Sequence, residues 1–225
     1  MAKVLLGVTG SVAAIRTPML YAEIKRAGHQ VRVVTTQAAL YFFDPAVLDP
    51  LDPAHPARNR AAVVLDDDEW PGLAEGRRYE RAEPVLHIEL RRWAEVLVIA
   101  PLDANTLAKL ASGLSDNCLT CVWRAWDPAR PVILAPAMNT LMWENPLTQR
   151  HLRELAGRPA PQSLDLDGLV AWMNTTCPRL RVVAPQSKRL ACGDVGVGAM
   201  AEPAEIVAVM QALLDHFGSP SPKAI

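Results

Sequence analysis

Short apolar runs alternate along the chain with longer stretches in which apolar residues recur every three or four positions. The run at residues 3–8, Lys-Val-Leu-Leu-Gly-Val, reads as a buried strand ending in the turn Thr9-Gly10-Ser11. Residues 11–26 carry helical spacing. Gly28 stands where it can close that helix, and Pro18 is expected to kink it or remove one of its hydrogen bonds. Residues 30–35, Gln-Val-Arg-Val-Val-Thr, give a second strand and complete a βαβ unit. The same reading predicts strands at 61–65, 96–100, 132–135 and 181–184. Helices are predicted at 36–43, 86–93, 104–111, 116–126, 146–155 and 203–217. Strands alternating with helices specify an α/β layer fold around a parallel sheet. The proline-bearing stretches 44–59 and 158–178 read as surface loops or insertions. Residues 1–217 are therefore read as one domain and 218–225 as a disordered tail.

Composition narrows the class. Half of the 225 residues are hydrophobic and 21% are charged, which supports a sizeable core and excludes a wholly disordered chain. The formal charge of −1 gives no electrostatic reason to expect nucleic acid or an anionic membrane as partner. No apolar run reaches the roughly 18–20 residues of a membrane span. The first apolar run meets Gly10-Ser11 too soon for a signal peptide. Four cysteines in a chain of this length are not a disulfide framework, so a reducing, cytoplasmic compartment is expected.

In an open parallel sheet, ligands bind beyond the carboxyl ends of the strands. After the first strand, Gly10 and Ser11 offer backbone N–H groups and a hydroxyl to a phosphate, and a plain tight turn reads the same way. After the second, Thr35, Thr36 and Gln37 offer hydroxyls that simple N-capping also explains. Asp103, Ala104, Asn105 and Thr106 follow the strand at 96–100, and Met138, Asn139 and Thr140 follow that at 132–135. Four such strand ends describe a pocket for a phosphorylated, hydrogen-bonding cofactor.

Other candidates read less sharply. His87 opens an amphipathic helix, where a capping or partly buried histidine is the plainer reading. Cys118 and Cys121 lack a second Cys/His pair at metal spacing and read as buried small residues. Cys192 lies in a glycine-rich segment where a thiol could reach a ligand. The run Asp66-Asp67-Asp68-Glu69 reads as a solvated loop, because consecutive carboxylates do not converge on one cation. No metal site is expected.

Several segments carry a resemblance when read in order. They are 10–14 (Gly-Ser-Val-Ala-Ala), 85–94 (Val-Leu-His-Ile-Glu-Leu-Arg-Arg-Trp-Ala), 100–107 (Ala-Pro-Leu-Asp-Ala-Asn-Thr-Leu), Asp116-Asn117 and 136–140 (Pro-Ala-Met-Asn-Thr) with Met142-Trp143. The last is 191–194 (Ala-Cys-Gly-Asp), continuing through 198–203 (Gly-Ala-Met-Ala-Glu-Pro). Together they span nearly the whole chain and resemble the flavin-dependent cysteine decarboxylases, specifically the coenzyme A-pathway branch.

The resemblance implies a three-layer Rossmann-like or flavodoxin-like α/β fold that binds FMN. It implies a homotrimer, or a multiple of trimers, with the active site between subunits. The implied reaction is decarboxylation of 4′-phosphopantothenoylcysteine to 4′-phosphopantetheine. Its route is oxidation of the substrate thiol to a thioaldehyde, loss of CO₂, protonation of the enethiolate and return of the hydride, so no external redox partner is needed. By position, Gly10, Ser11, Val12, Thr35, Thr36, Gln37, Asp103, Ala104, Asn105, Thr106 and Met138 would contact FMN. His87 would be the acid/base and Cys192 the proton donor on a clamp that closes over the substrate. Asn139 would hold the substrate carboxylate, with Ala191 and Met200 beside the substrate.

Two departures stand out. Asp103 occupies a position where relatives can carry serine, so its cofactor contact is expected through the backbone, and the stretches 44–59 and 158–178 look longer than the family core. Three rival readings are a phosphatase-regulating relative without activity, a flavin prenyltransferase on a similar fold, and a peptidyl-cysteine decarboxylase. The presence of His87, Asn139 and Cys192 in one chain favours the enzyme over the first two. The Cys192 segment argues against the third.

Overall fold

In a computed structural model of the chain, residues 1–48, 62–189 and 195–217 are described. Six parallel strands form the central sheet: β1 (Lys3–Val8), β2 (Gln30–Thr35), β3 (Val63–Val64), β4 (Val96–Leu102), β5 (Val132–Pro136) and β6 (Leu180–Val182). Their spatial order is β3-β2-β1-β4-β5-β6. The order reverses between β1 and β4, which opens a crevice at their carboxyl ends.

Strand residues alternate between two cores, one on each face of the sheet. Val4, Leu6 and Val8 of β1, with Val96, Val98 and Ala100 of β4, pack on one side. That side is covered by α1 (Thr17–Arg26), through Leu20 and Ile24, and by α8 (Pro203–Phe217), through Ile206, Met210 and Leu213. Leu5, Leu97 and Ile99 point to the other side. There they meet α2 (Leu86–Trp93), α3 (Ala104–Ser112), α4 (Cys118–Arg124), α6 (Pro146–Ala156) and α7 (Leu166–Thr176). A short helix, α5 (Thr140–Trp143), follows β5. Burial on both faces explains why the strands read as continuous apolar runs. Truncating a fully buried side chain here, such as Leu97 or Leu119, would cost about 2–5 kcal/mol.

Two expectations need correction, and a hairpin joins the elements expected. Residues 11–26 are not one kinked helix: a 3-10 turn (Val12–Arg16) precedes α1, and Pro18 sits in the first turn of α1, where no N–H is needed. The stretch 158–178 is not a loop throughout, because it contains α7, capped by the Asp165 carboxylate accepting from the Gly168 N–H at 2.8 Å. An antiparallel hairpin, β7 (Gln186–Arg189) with β8 (Val195–Ala199), stands apart from the main sheet. Only part of the stretch 44–59 is described; it holds a 3-10 turn at Pro45–Val47. The tail 218–225 lies outside the described residues.

Candidate active site

The crevice between β1 and β4 is a cavity of about 560 Å³. Gly10, Ser11 and Val12 line it from the end of β1, and Asp103, Ala104 and Asn105 from the end of β4. Met138 and Asn139 enter from the end of β5, and Gly198, Ala199 and Met200 from the hairpin. Three of the four strand ends predicted to converge line it, those of β1, β4 and β5, with Arg16, Phe42 and Met142 joining the wall.

Local hydrogen bonds fix these loops. Thr9, fully buried, donates its hydroxyl to the Pro101 carbonyl at 2.8 Å and accepts from the Asp103 N–H at 2.7 Å. The β1 and β4 loops are thereby fastened to each other across the crevice. The Asp103 carboxylate accepts from the Thr106 N–H at 2.8 Å and caps α3. The backbone N–H of Asp103 is thus committed to Thr9. Gly10 sits against Ala38 and Asp103: a Cβ would stand 2.7 Å from the Ala38 Cβ and 3.2 Å from the Asp103 Oδ2. The missing side chain lets the loop after β1 pack tightly against Ala38 and the Asp103 carboxylate. Asn139 caps α5, its Oδ1 accepting from the Leu141 N–H at 2.9 Å, which orients the amide.

The hairpin closes one side. The Gly198 carbonyl accepts from the Met138 N–H at 3.0 Å. Glu202, just after β8, pairs with both Arg16 in the cavity wall and Lys188 on β7. These two cations pull the Glu202 carboxyl down to about 2.

Some candidates stand elsewhere. Thr35, Thr36 and Gln37 follow β2 beside Gly10 but do not line the cavity, and Thr106 is buried behind it. The Thr36 hydroxyl is buried without a hydrogen-bond partner among the described residues. His87 lies on the first turn of α2, outside the cavity wall of its own chain. Ala191 and Cys192 fall between β7 and β8, outside the described residues.

The acidic run is not a solvated loop. It forms a 3-10 turn, Asp66–Glu69, whose carboxylates tie distant elements together. Asp66 accepts from the Gln37 N–H at 2.9 Å and the Cys118 N–H at 3.3 Å, and burial pushes its carboxyl up. Glu69 holds His87. Cys118 is buried, as expected, and burial with the neighbouring Glu69 carboxylate pushes its thiol up; Cys121 is only half-buried. Among the described residues, no group of three His, Cys, Asp or Glu could hold a metal ion, and no helix is long and apolar enough to cross a membrane.

Similarity to known proteins is extensive. The Flavoprotein family model matches residues 1–215. The chain is 42% identical over 218 residues to phosphopantothenoylcysteine decarboxylase of Mus musculus, covering 96% of this chain and 89% of that one. Among solved structures, a cysteine-to-serine mutant of PPC decarboxylase complexed with pantothenoylaminoethenethiol superposes with a TM-score of 0.72 at 42% identity, covering 95% and 98% of the two chains. The FMN-binding protein AtHal3 superposes with a TM-score of 0.69 at 43% identity, covering 96% and 97%. The chain belongs to the Flavoprotein family, within the group formed by the phosphopantothenoylcysteine decarboxylases.

Proposed function

We propose that the crevice binds FMN and that the protein decarboxylates 4′-phosphopantothenoylcysteine to 4′-phosphopantetheine. The observation that carries this reading is a single cavity. It joins the Gly10 turn, the Asp103–Asn105 turn and the capped Asn139 amide at the point where strand order reverses. Its volume lies within the roughly 300–1,000 Å³ usual for cofactor and small-molecule sites. The fit with FMN rests on chain chemistry: the Gly10 turn at the end of β1, hydroxyl and amide groups at Ser11 and Asn105, and apolar cover from Met138 and Met200.

When bound, FMN supplies a two-electron acceptor that is regenerated within the cycle, so loss of CO₂ has an electron sink and the net reaction is redox-neutral. Gly10, Ser11 and Val12 at the end of β1 and Asp103, Ala104 and Asn105 at the end of β4 would hold FMN, with Thr106 buried behind them. Thr35, Thr36 and Gln37 support the Gly10 loop from behind. The Asn139 amide, oriented by its cap, holds the substrate carboxylate out of plane so that its bond to carbon can break. Cys192 protonates the enethiolate, with Ala191 and Met200 enclosing the substrate. A related cysteine-to-serine mutant holding an ethenethiol supports that assignment.

His87 acts as the acid/base. It does not line the cavity of its own chain, so it serves the cavity of a neighbouring copy, in keeping with a homotrimer whose sites lie between subunits. Val12, Ile15 and Met142 present exposed apolar surface at the cavity mouth, where a second copy would cover it. A cytoplasmic location goes with this reading. The test is Asn139→Asp: FMN should be retained while CO₂ release falls by about 10²-fold or more, because a second carboxylate repels the first. Full activity would remove the carboxylate-holding role.

A further inference from the structure

The His87–Glu69 contact has no place in the scheme above. The Glu69 side chain is only 4% exposed although it belongs to a run of four acids, and its partner's ring is 23% exposed. One carboxylate oxygen accepts from the His87 backbone N–H at 3.0 Å. The other lies 2.5 Å from the His87 Nδ1. An ionised carboxylate can only accept, so Nδ1 must carry the proton. In the neutral ring Nε2 is then the unprotonated nitrogen, and it has no hydrogen-bond partner among the described residues. The two contacts fix both the position of the first turn of α2 and the ring's rotation, because they come from one carboxylate. Glu69 is itself held in place: the Cys118 thiol at the start of α4 sits against it, and Asp66, three residues earlier, is bound to the Gln37 and Cys118 N–H groups.

We propose that Glu69 is a positioning residue for His87, holding the Nδ1–H tautomer so that Nε2 is presented as the proton-accepting atom. The inference rests on the reading of His87 as the acid/base. The residue that merely staples the Asp66–Glu69 turn to α2 would need only the backbone contact. The residue that sets the chemistry needs the Nδ1 contact as well.

Glu69→Gln separates the two. A glutamine oxygen can still accept from the His87 N–H, but its NH₂ would face Nδ1 and favour the opposite tautomer, with the proton on Nε2. The holoenzyme would be compared with E69Q for FMN content, melting temperature, kcat, KM and the side-chain ¹⁵N spectrum of His87, assigned by its loss in H87N. The expected result is Nδ1–H in the wild-type protein and Nε2–H in E69Q. FMN content and KM should be unchanged, and kcat should fall by about 10²–10⁴-fold, the usual worth of a general acid or base. E69Q with the wild-type tautomer or wild-type kcat would overturn the proposal. Should E69Q fail to fold, the wild-type spectrum decides, and Nε2–H there overturns it. Retained turnover in H87N would instead overturn the acid/base reading on which the proposal stands, whatever the tautomer.

Discussion

At the scale of single residues, the site depends on atoms that must be absent as much as on those present. Gly198 has φ +152°, and a Cβ there would stand 2.1 Å from the Met138 carbonyl oxygen. Gly198→Ala should therefore strain or displace the hairpin at a cost of about 1–3 kcal/mol, read as a lower melting temperature together with weakened substrate binding. An unchanged KM would show that the hairpin's contact with Met138 does not shape the site. The strand-end residues were legible in the sequence because their placement follows from topology alone: Gly10, Asp103 and Asn139 each come directly after a buried run. Glu69 was not legible. Its partners lie 18 residues away at His87 and in Cys118 on α4, and no periodicity links a carboxylate to an imidazole that the fold brings to it.

At the scale of elements, strong apolar periodicity gave α8 and α2 to the residue, whereas α7 was hidden between Pro159, Pro161 and Pro178 and carries Gly168 inside it. Its burial of Leu169, Val170 and Met173 against the sheet outweighs the poor propensity of its sequence. The hairpin escaped notice because β8, Val-Gly-Val-Gly-Ala, has too little side chain to show an alternation. What holds the hairpin is charge as well as backbone pairing. Glu202 joins Arg16 on the cavity wall to Lys188 on β7, and the two cations lower its carboxyl from 4.5 to about 2. A depressed carboxylate contributes stability above its ordinary range and loses it as pH falls through the lowered value. Glu202→Gln should thus lower stability near neutral pH by at most about 1 kcal/mol, since the pairs are solvent-exposed. The difference from the wild-type protein should vanish as pH falls to about 2. Parallel melts across that range check the sign, and a difference that grew on acidification would contradict the clasp.

At the scale of the whole molecule, strand order decides where chemistry can occur. The reversal between β1 and β4 leaves one crevice at the carboxyl ends, and nearly every ligand-facing residue on the described chain meets there. Thr35 to Gln37 and Thr106 stand behind the wall, and His87 stands apart from it, which the proposed homotrimer would explain. Ile15 is 61% exposed at the cavity mouth, so Ile15→Asp should yield smaller particles by light scattering and abolish turnover together with assembly. An active monomer would return His87 to a purely structural role. The most direct test of the whole account is mass spectrometry of the purified protein with 4′-phosphopantothenoylcysteine and no added oxidant. The account predicts CO₂ and 4′-phosphopantetheine, formed catalytically by a protein that carries FMN. An FMN-loaded trimer that leaves the substrate intact would contradict it.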